Sequence, residues 1–169
     1  MSVYLDASVI VPLFVQEKTS EAVLAWMGSV DKAIVSDGAI AEVSSAMSHH
    51  VRRRSLDPDE RDLAETKFNI WLDRAAAVRE VEPEDVMACR FLLHRHPQLR
   101  TPDALHLAIV QRLGCDLATY DHDLADAAHH HDHDVTGLVD RHRGRFDRAY
   151  GQARAPLRYL TDRQHHPDH

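Results

Sequence analysis

The sequence predicts an α/β fold built on a parallel sheet. Three observations carry this. Short β-prone runs alternate with longer stretches whose apolar residues recur at helical spacing. Two of those stretches open on proline-bearing helix starts, Asp57-Pro58-Asp59-Glu60 and Thr101-Pro102-Asp103. The helix beyond Asp103 is apolar on most sides, as a helix packed between a sheet and its neighbours must be. Strands separated by helices imply βαβ units, and so a parallel sheet of four to five strands in an α/β sandwich.

The elements follow in order. Val3-Tyr4-Leu5 is a β-prone run ending at Asp6, and Ser8 is placed to N-cap a brief helix through Val15. Thr19-Ser20-Glu21 opens an amphipathic helix with Val23, Leu24, Trp26 and Met27, closed near Gly28. Ala33–Ser36 reads as the second strand. Ala39, Val43, Ala46, Met47 and Val51 give a helix over about Ala39–Arg54. The helix capped by Asp57 runs to about Ala77, with Val78–Val81 as the third strand. A helix from Pro83 to about Arg95 stops before Pro97, and the next, from Thr101, stops at Gly114. Asp116–Tyr120 is a strand, His122–His130 a helix and Asp134–Leu138 a last strand.

Composition narrows the class. At 169 residues with 44% hydrophobic content, the chain can bury a core. The apolar run Val9–Val15 contains Pro12, falls far short of a membrane span, and has no basic segment ahead of it, so neither a membrane protein nor a secretory signal is expected. Cys89 and Cys115 lack CxxC spacing, which leaves two buried free thiols in a reducing cytoplasm. Residues 1–140 carry 13 basic and 24 acidic side chains, whereas 141–169 carry seven Arg and three Asp. The division is thus a body at 1–140 and an Arg/His-rich extension at 141–169, partly helical or mobile. An acidic body argues against phosphate binding over its whole surface and fits acids gathered at one site around a cation.

Four carboxylates fall where parallel sheets place their active sites. Asp6 and Asp121 follow predicted strands, at the carboxyl end where ligands bind. Asp103 lies in the first turn of the most apolar helix, and Glu42 borders an apolar stripe. Each also has an ordinary structural use: Asp103 as a dipole partner, Asp121 as an N-cap, Glu42 as a solvated helix acid. Converging, they would repel one another unless a cation sat among them, and oxygen-only ligands favour Mg2+ or Mn2+ over zinc.

The stretches Tyr4-Leu5-Asp6-Ala7-Ser8, Ala41-Glu42-Val43 with Ser45-Ala46, Arg100–Ala108 and Ala118-Thr119-Tyr120-Asp121 resemble PIN-domain proteins, in particular the VapC-type toxins of bacterial toxin–antitoxin pairs. The likeness covers roughly residues 1–140, and Arg100-Thr101-Pro102-Asp103-Ala104-Leu105-His106-Leu107-Ala108 is its most specific part. The resemblance implies a three-layer α/β/α sandwich and Mg2+- or Mn2+-dependent endonucleolytic cleavage of RNA leaving a 5′-phosphate. It also implies homodimerisation and inhibition by an antitoxin protein. By position it makes Asp6, Glu42, Asp103 and Asp121 the metal-binding catalytic acids. Ser8 and Thr119 are implied to support them by hydrogen bonding or water placement, and Asp123 to supplement or replace Asp121. The chain departs from the family after Asp140 and in its His-rich patch.

Other features admit two readings each. Arg52-Arg53-Arg54 and Arg100 can guide RNA phosphates or sit as solvated helix ends. The run His129-His130-His131-Asp132-His133 is a transition-metal tract or a solvated helix end. Leu13, Phe14, Trp26 and Met27 line an antitoxin groove or pack in the core. The rival functions are a non-catalytic PIN-like RNA- or antitoxin-binding protein and a His-rich metal-binding protein. A haloacid-dehalogenase-type phosphatase needs a second Asp where Ser8 stands.

Overall fold

The computed structural model describes residues 2–131 and 135–137. Their order is β1 (Ser2–Leu5), α1 (Ala7–Phe14), α2 (Ser20–Met27), β2 (Lys32–Ser36), α3 (Asp37–Arg52) and α4 (Pro58–Ala75). Then come β3 (Ala76–Arg79), α5 (Pro83–Arg95), α6 (Thr101–Leu113), β4 (Asp116–Thr119), α7 (His122–His129) and β5 (Val135–Gly137). The extension expected over 141–169 lies outside the described residues.

All strand pairs are parallel and the sheet order is β3-β2-β1-β4-β5. The chain fills one side of β1 and then crosses to the other, so the topological switch point lies between β1 and β4. In open α/β sheets that is where a crevice opens at the strand carboxyl ends.

The two-residue period of the strands divides the interior into two cores. Val3, Leu5, Ala33, Val35 and Ala118 face α1, α2, α3 and α4, where Phe68 is fully buried. Tyr4, Ile34 and Leu117 face α5, α6 and α7. The result is the expected three-layer α/β/α sandwich. Among the described residues no helix is long and apolar enough to cross a membrane.

Several expected details shift. Helix α1 starts two residues early, because Asp6 and not Ser8 is its N-cap, with the Asp6 side chain accepting from the Val9 N–H. Strand β3 is Ala76–Arg79 rather than Val78–Val81. Pairing of Ala33–Ser36 with Ala76–Arg79 ends α4 at Ala75, so ladder hydrogen bonds override the preference of the valines. Trp26 is buried, while Leu13, Phe14 and Met27 are packed against the first core. Phe14 meets Phe68 and Trp71 with ring centroids 5.4 and 5.9 Å away. These four residues therefore follow the core-packing reading. Cys89 is buried as expected, but Cys115 is only half-buried.

An ion pair locks α6, which carries Asp103, onto α5. The Arg112 guanidinium donates to both carboxylate oxygens of Asp85 at 2.7 and 2.8 Å, and Asp85 is almost fully buried. A further N–H reaches Glu82 at 2.9 Å. Burial raises the Asp85 carboxyl, but the Arg112 hydrogen bonds more than offset it and the net direction is down. Arg112→Ala strands a buried carboxylate and is expected to cost about 3 kcal/mol in urea unfolding at neutral pH. Because the folded value is depressed, the pair stabilises above the ordinary Asp range and fades as pH falls through the folded value. The gap between wild type and variant should close in acid, and a gap independent of pH would contradict the assignment.

Candidate active site

Asp6 is the best-fixed acid at the switch point. It ends β1, its amide donates to the Ala118 carbonyl of β4 at 3.3 Å, and it is 5% exposed. Its Oδ1 accepts from the Ser8 hydroxyl at 2.6 Å and from the Val9 N–H at 3.2 Å. Its Oδ2 accepts from the Thr119 hydroxyl at 2.6 Å. Each hydroxyl also takes a backbone proton: Tyr120 N–H donates to Ser8 Oγ at 2.8 Å, and Asp121 N–H to Thr119 Oγ1 at 2.9 Å. Ser8 and Thr119 thus couple Asp6 to the turn that presents Asp121.

Asp121 N-caps α7, with Oδ1 accepting from Leu124 N–H at 2.9 Å. It is half-buried, whereas Asp123, two residues on, is exposed. Asp103 is half-buried in the first turn of α6, and its Oδ2 accepts from the Arg100 N–H at 3.0 Å. Glu42, in the second turn of α3, accepts from His106 Nε2 at 3.1 Å.

His106 was not singled out from the sequence. It lies three residues after Asp103, on the same side of α6, and is 3% exposed. Its Nδ1 is 2.7 Å from the Tyr4 hydroxyl, which is 2.7 Å from Ser36 Oγ, and Ser36 Oγ in turn N-caps α3 by accepting from Ala39 N–H. The chain Ser36–Tyr4–His106–Glu42 therefore ties β2, β1, α6 and α3 together. The available signal was a histidine inside an otherwise apolar helical face, opposite a buried tyrosine.

The electrostatics show that these acids share a field. Burial pushes the Asp6 carboxyl up, and His106, Ser8, Thr119 and the Val9 amide only partly offset it. Asp103 is also raised, first by burial and then by the negative charges of Asp121 and Glu42. Burial depresses His106, but the Glu42 hydrogen bond and the charges of Asp6, Glu42 and Asp103 outweigh it and raise it overall. The Tyr4 hydroxyl is driven up by burial and stays protonated. Four carboxylates from four segments thus lie close enough to perturb Asp103 or His106, and their charges draw the His106 imidazole toward its protonated form.

The donor set fits a hard divalent cation by its chemistry, being all oxygen and held at an energetic cost that a cation would relieve. The side chains are not already closed around such an ion. Among the described residues no three His, Cys, Asp or Glu side chains are arranged to hold one. Beside the acids, a cavity of about 480 Å3 is lined by Ser8, Glu17, His50, Tyr120 and His122. Arg100 adjoins the site through its backbone, while Arg52, Arg53 and Arg54 are exposed at the far end of α3, about 15 Å along the helix from Glu42.

The raised values of Asp6 and Asp103 have a sign that can be tested. A carboxyl raised on folding stabilises the native state below its unfolded value, and that contribution is lost as pH rises through the folded value. In chelator, wild-type stability should therefore carry a component that falls from the ordinary Asp range toward neutrality. Asp6→Asn should flatten it in urea titrations at stepped pH. Parallel wild-type and variant profiles would remove Asp6 as its source.

Comparison with known proteins places the chain by family and fold. The family model described as PIN domain matches residues 3–130. Ribonuclease VapC23 of Mycobacterium tuberculosis is 37% identical over 98 residues, which span 57% of this chain and 71% of that protein. Ribonuclease VapC46 of the same organism is 34% identical over 136 residues, 75% of this chain and 90% of that protein. The crystal structure of M. tuberculosis VapC20, titled a sarcin-ricin loop cleaving toxin, superposes with a TM-score of 0.61 at 18% identity, covering 74% of this chain and 94% of that one. A toxin-antitoxin complex from Klebsiella pneumoniae gives 0.52 at 18% identity, covering 73% and 90%. At these identities the two structures speak for the fold.

Proposed function

Because the chain belongs to the PIN domain family, we propose that it is a divalent-metal-dependent endoribonuclease and the toxin of a toxin–antitoxin pair. RNA is its substrate, a cognate antitoxin protein its inhibitor, and homodimerisation part of the same reading. The observation that carries it is Asp6, buried at the β1–β4 switch point under three hydrogen bonds, with Asp103, Asp121 and Glu42 acting on the same field.

Asp6, Glu42, Asp103 and Asp121 would hold the ion, Mg2+ or Mn2+. When bound, the ion supplies Lewis-acid polarisation of the scissile phosphate and acidifies a bound water. The chain contributes placement. Asp6 is the fixed member, since Ser8, Thr119 and the Val9 amide leave it one orientation. Asp121 is set by the Thr119 hydroxyl and by its own capping bond, so β4 positions it relative to Asp6. Glu42 is held by a hydrogen bond from His106, which keeps it directed at the site. Of the four arginines considered for RNA, Arg100 stands nearest the acids and is the one proposed to meet a phosphate there.

The test is end-mapping of RNA incubated with purified protein and Mg2+ or Mn2+, beside Asp6→Ala and beside chelator. Discrete cuts with 5′-phosphate ends are expected. The variant should lose about 10²–10³-fold in rate, the scale of removing one preorganised transition-state contact. An Asp6→Ala protein cutting as fast as wild type would refute the site.

A further inference from the structure

We propose that His96 and His131 form a nitrogen-ligand site for a transition-metal ion such as Zn2+, separate from the acids, where the end of α5 meets the end of α7. Their Nε2 atoms are 3.1 Å apart. Two nitrogens bound to zinc at about 2.0–2.1 Å in a tetrahedron lie about 3.3 Å from each other, so the pair already has close to the required bite. The same approach also serves an imidazole–imidazole hydrogen bond. For the ion to enter, the donor ring shifts its proton to Nδ1 and both Nε2 lone pairs face the metal.

The two rings stand on fixed backbone. His96 N–H donates to the Leu92 carbonyl at 2.8 Å and the His96 carbonyl accepts from Leu99 at 3.0 Å. His131 N–H donates to Ala128 at 3.0 Å. His96 is only 9% exposed, an unusual setting for a merely solvated histidine. The His130 ring stacks on His96 with centroids 5.9 Å apart, and the three histidines line an open cavity of about 510 Å3 with Arg95 and Gln98. His96 and His131 are the preformed part. His130 is the third ligand, reached by rotating its side chain, because no three donors are already arranged among the described residues.

The chemistry selects the ion. Imidazole nitrogens suit zinc, nickel and copper, whereas the oxygen set at the other end of α7 suits magnesium and manganese. Arg95 on the cavity wall opposes any ion held by charge alone and leaves one held by directional nitrogen bonds. The eight residues of α7 put this site about 12 Å from Asp121 along the helix. An ion here would join two segments whose other ends present Asp103 and Asp121, stabilising the fold by mass action.

The experiment is zinc titration of the tag-free full chain by calorimetry and thermal melting, with X-ray absorption of the wild-type zinc complex. Near-stoichiometric binding, a raised Tm and a nitrogen-dominated ligand shell are expected. His96→Gln and His131→Gln should each weaken binding at least tenfold, and Asp6→Ala should leave it intact. X-ray absorption needs no variant, so a substitution that impairs folding does not shield the proposal. It is overturned if wild type binds no zinc, if the ligand shell is mainly oxygen, if the double variant His96→Gln/His131→Gln binds like wild type, or if Asp6→Ala abolishes binding. Failure of RNA cleavage would leave this result untouched.

Discussion

The fixing of one buried carboxylate is what the rest of the arrangement depends on. Asp6 could not be buried at the centre of a parallel sheet without donors, since an unpaired buried charge costs several kcal/mol. Three donors meet it: a hydroxyl two residues ahead, the amide of the helix it caps, and a hydroxyl from the neighbouring strand. The last of these converts strand pairing into site geometry. Thr119 reaches Asp6 only because β1 lies beside β4 in the register that sets Leu5 against Ala118. The same hydroxyl accepts from the Asp121 amide, so one residue sets two acids.

Around that anchor the protein holds more negative charge than it neutralises. His106 is the internal partner of these acids, bonded to Glu42 and backed by Tyr4 and Ser36. Its field acts on Asp6 and Asp103, yet both carboxyls remain raised. An electrostatically strained, oxygen-rich pocket is a poor stabiliser of the fold. The sheet, the two cores and the Arg112–Asp85 lock carry that strain without opening the fold.

Much of this was legible before any coordinates. The α/β alternation, the proline-bearing helix starts and the apolar α6 gave the layer architecture, because burial on both sides of a sheet imposes its own pattern on the chain. The strand-end positions of Asp6 and Asp121 followed from the same pattern. Where the reading slipped, the reason was tertiary. The Val78–Val81 strand moved to Ala76–Arg79 because β2 offered its hydrogen bonds there. For Leu13, Phe14, Trp26 and Met27 the sequence left groove and core both open, and the core reading holds, since α4 brings Phe68 and Trp71 against Phe14.

By itself, then, the sequence determined which segments become strands and helices and which acids stand at their ends, because periodicity and capping are local and are written in consecutive residues. Only the tertiary structure decided the strand order, the Asp6–Thr119 hydrogen bond, the Glu42–His106 pair across 64 positions and the meeting of His96 with His131. Those contacts join residues far apart in the chain. A carboxylate or an imidazole carries no local mark of the partner that folding will place against it.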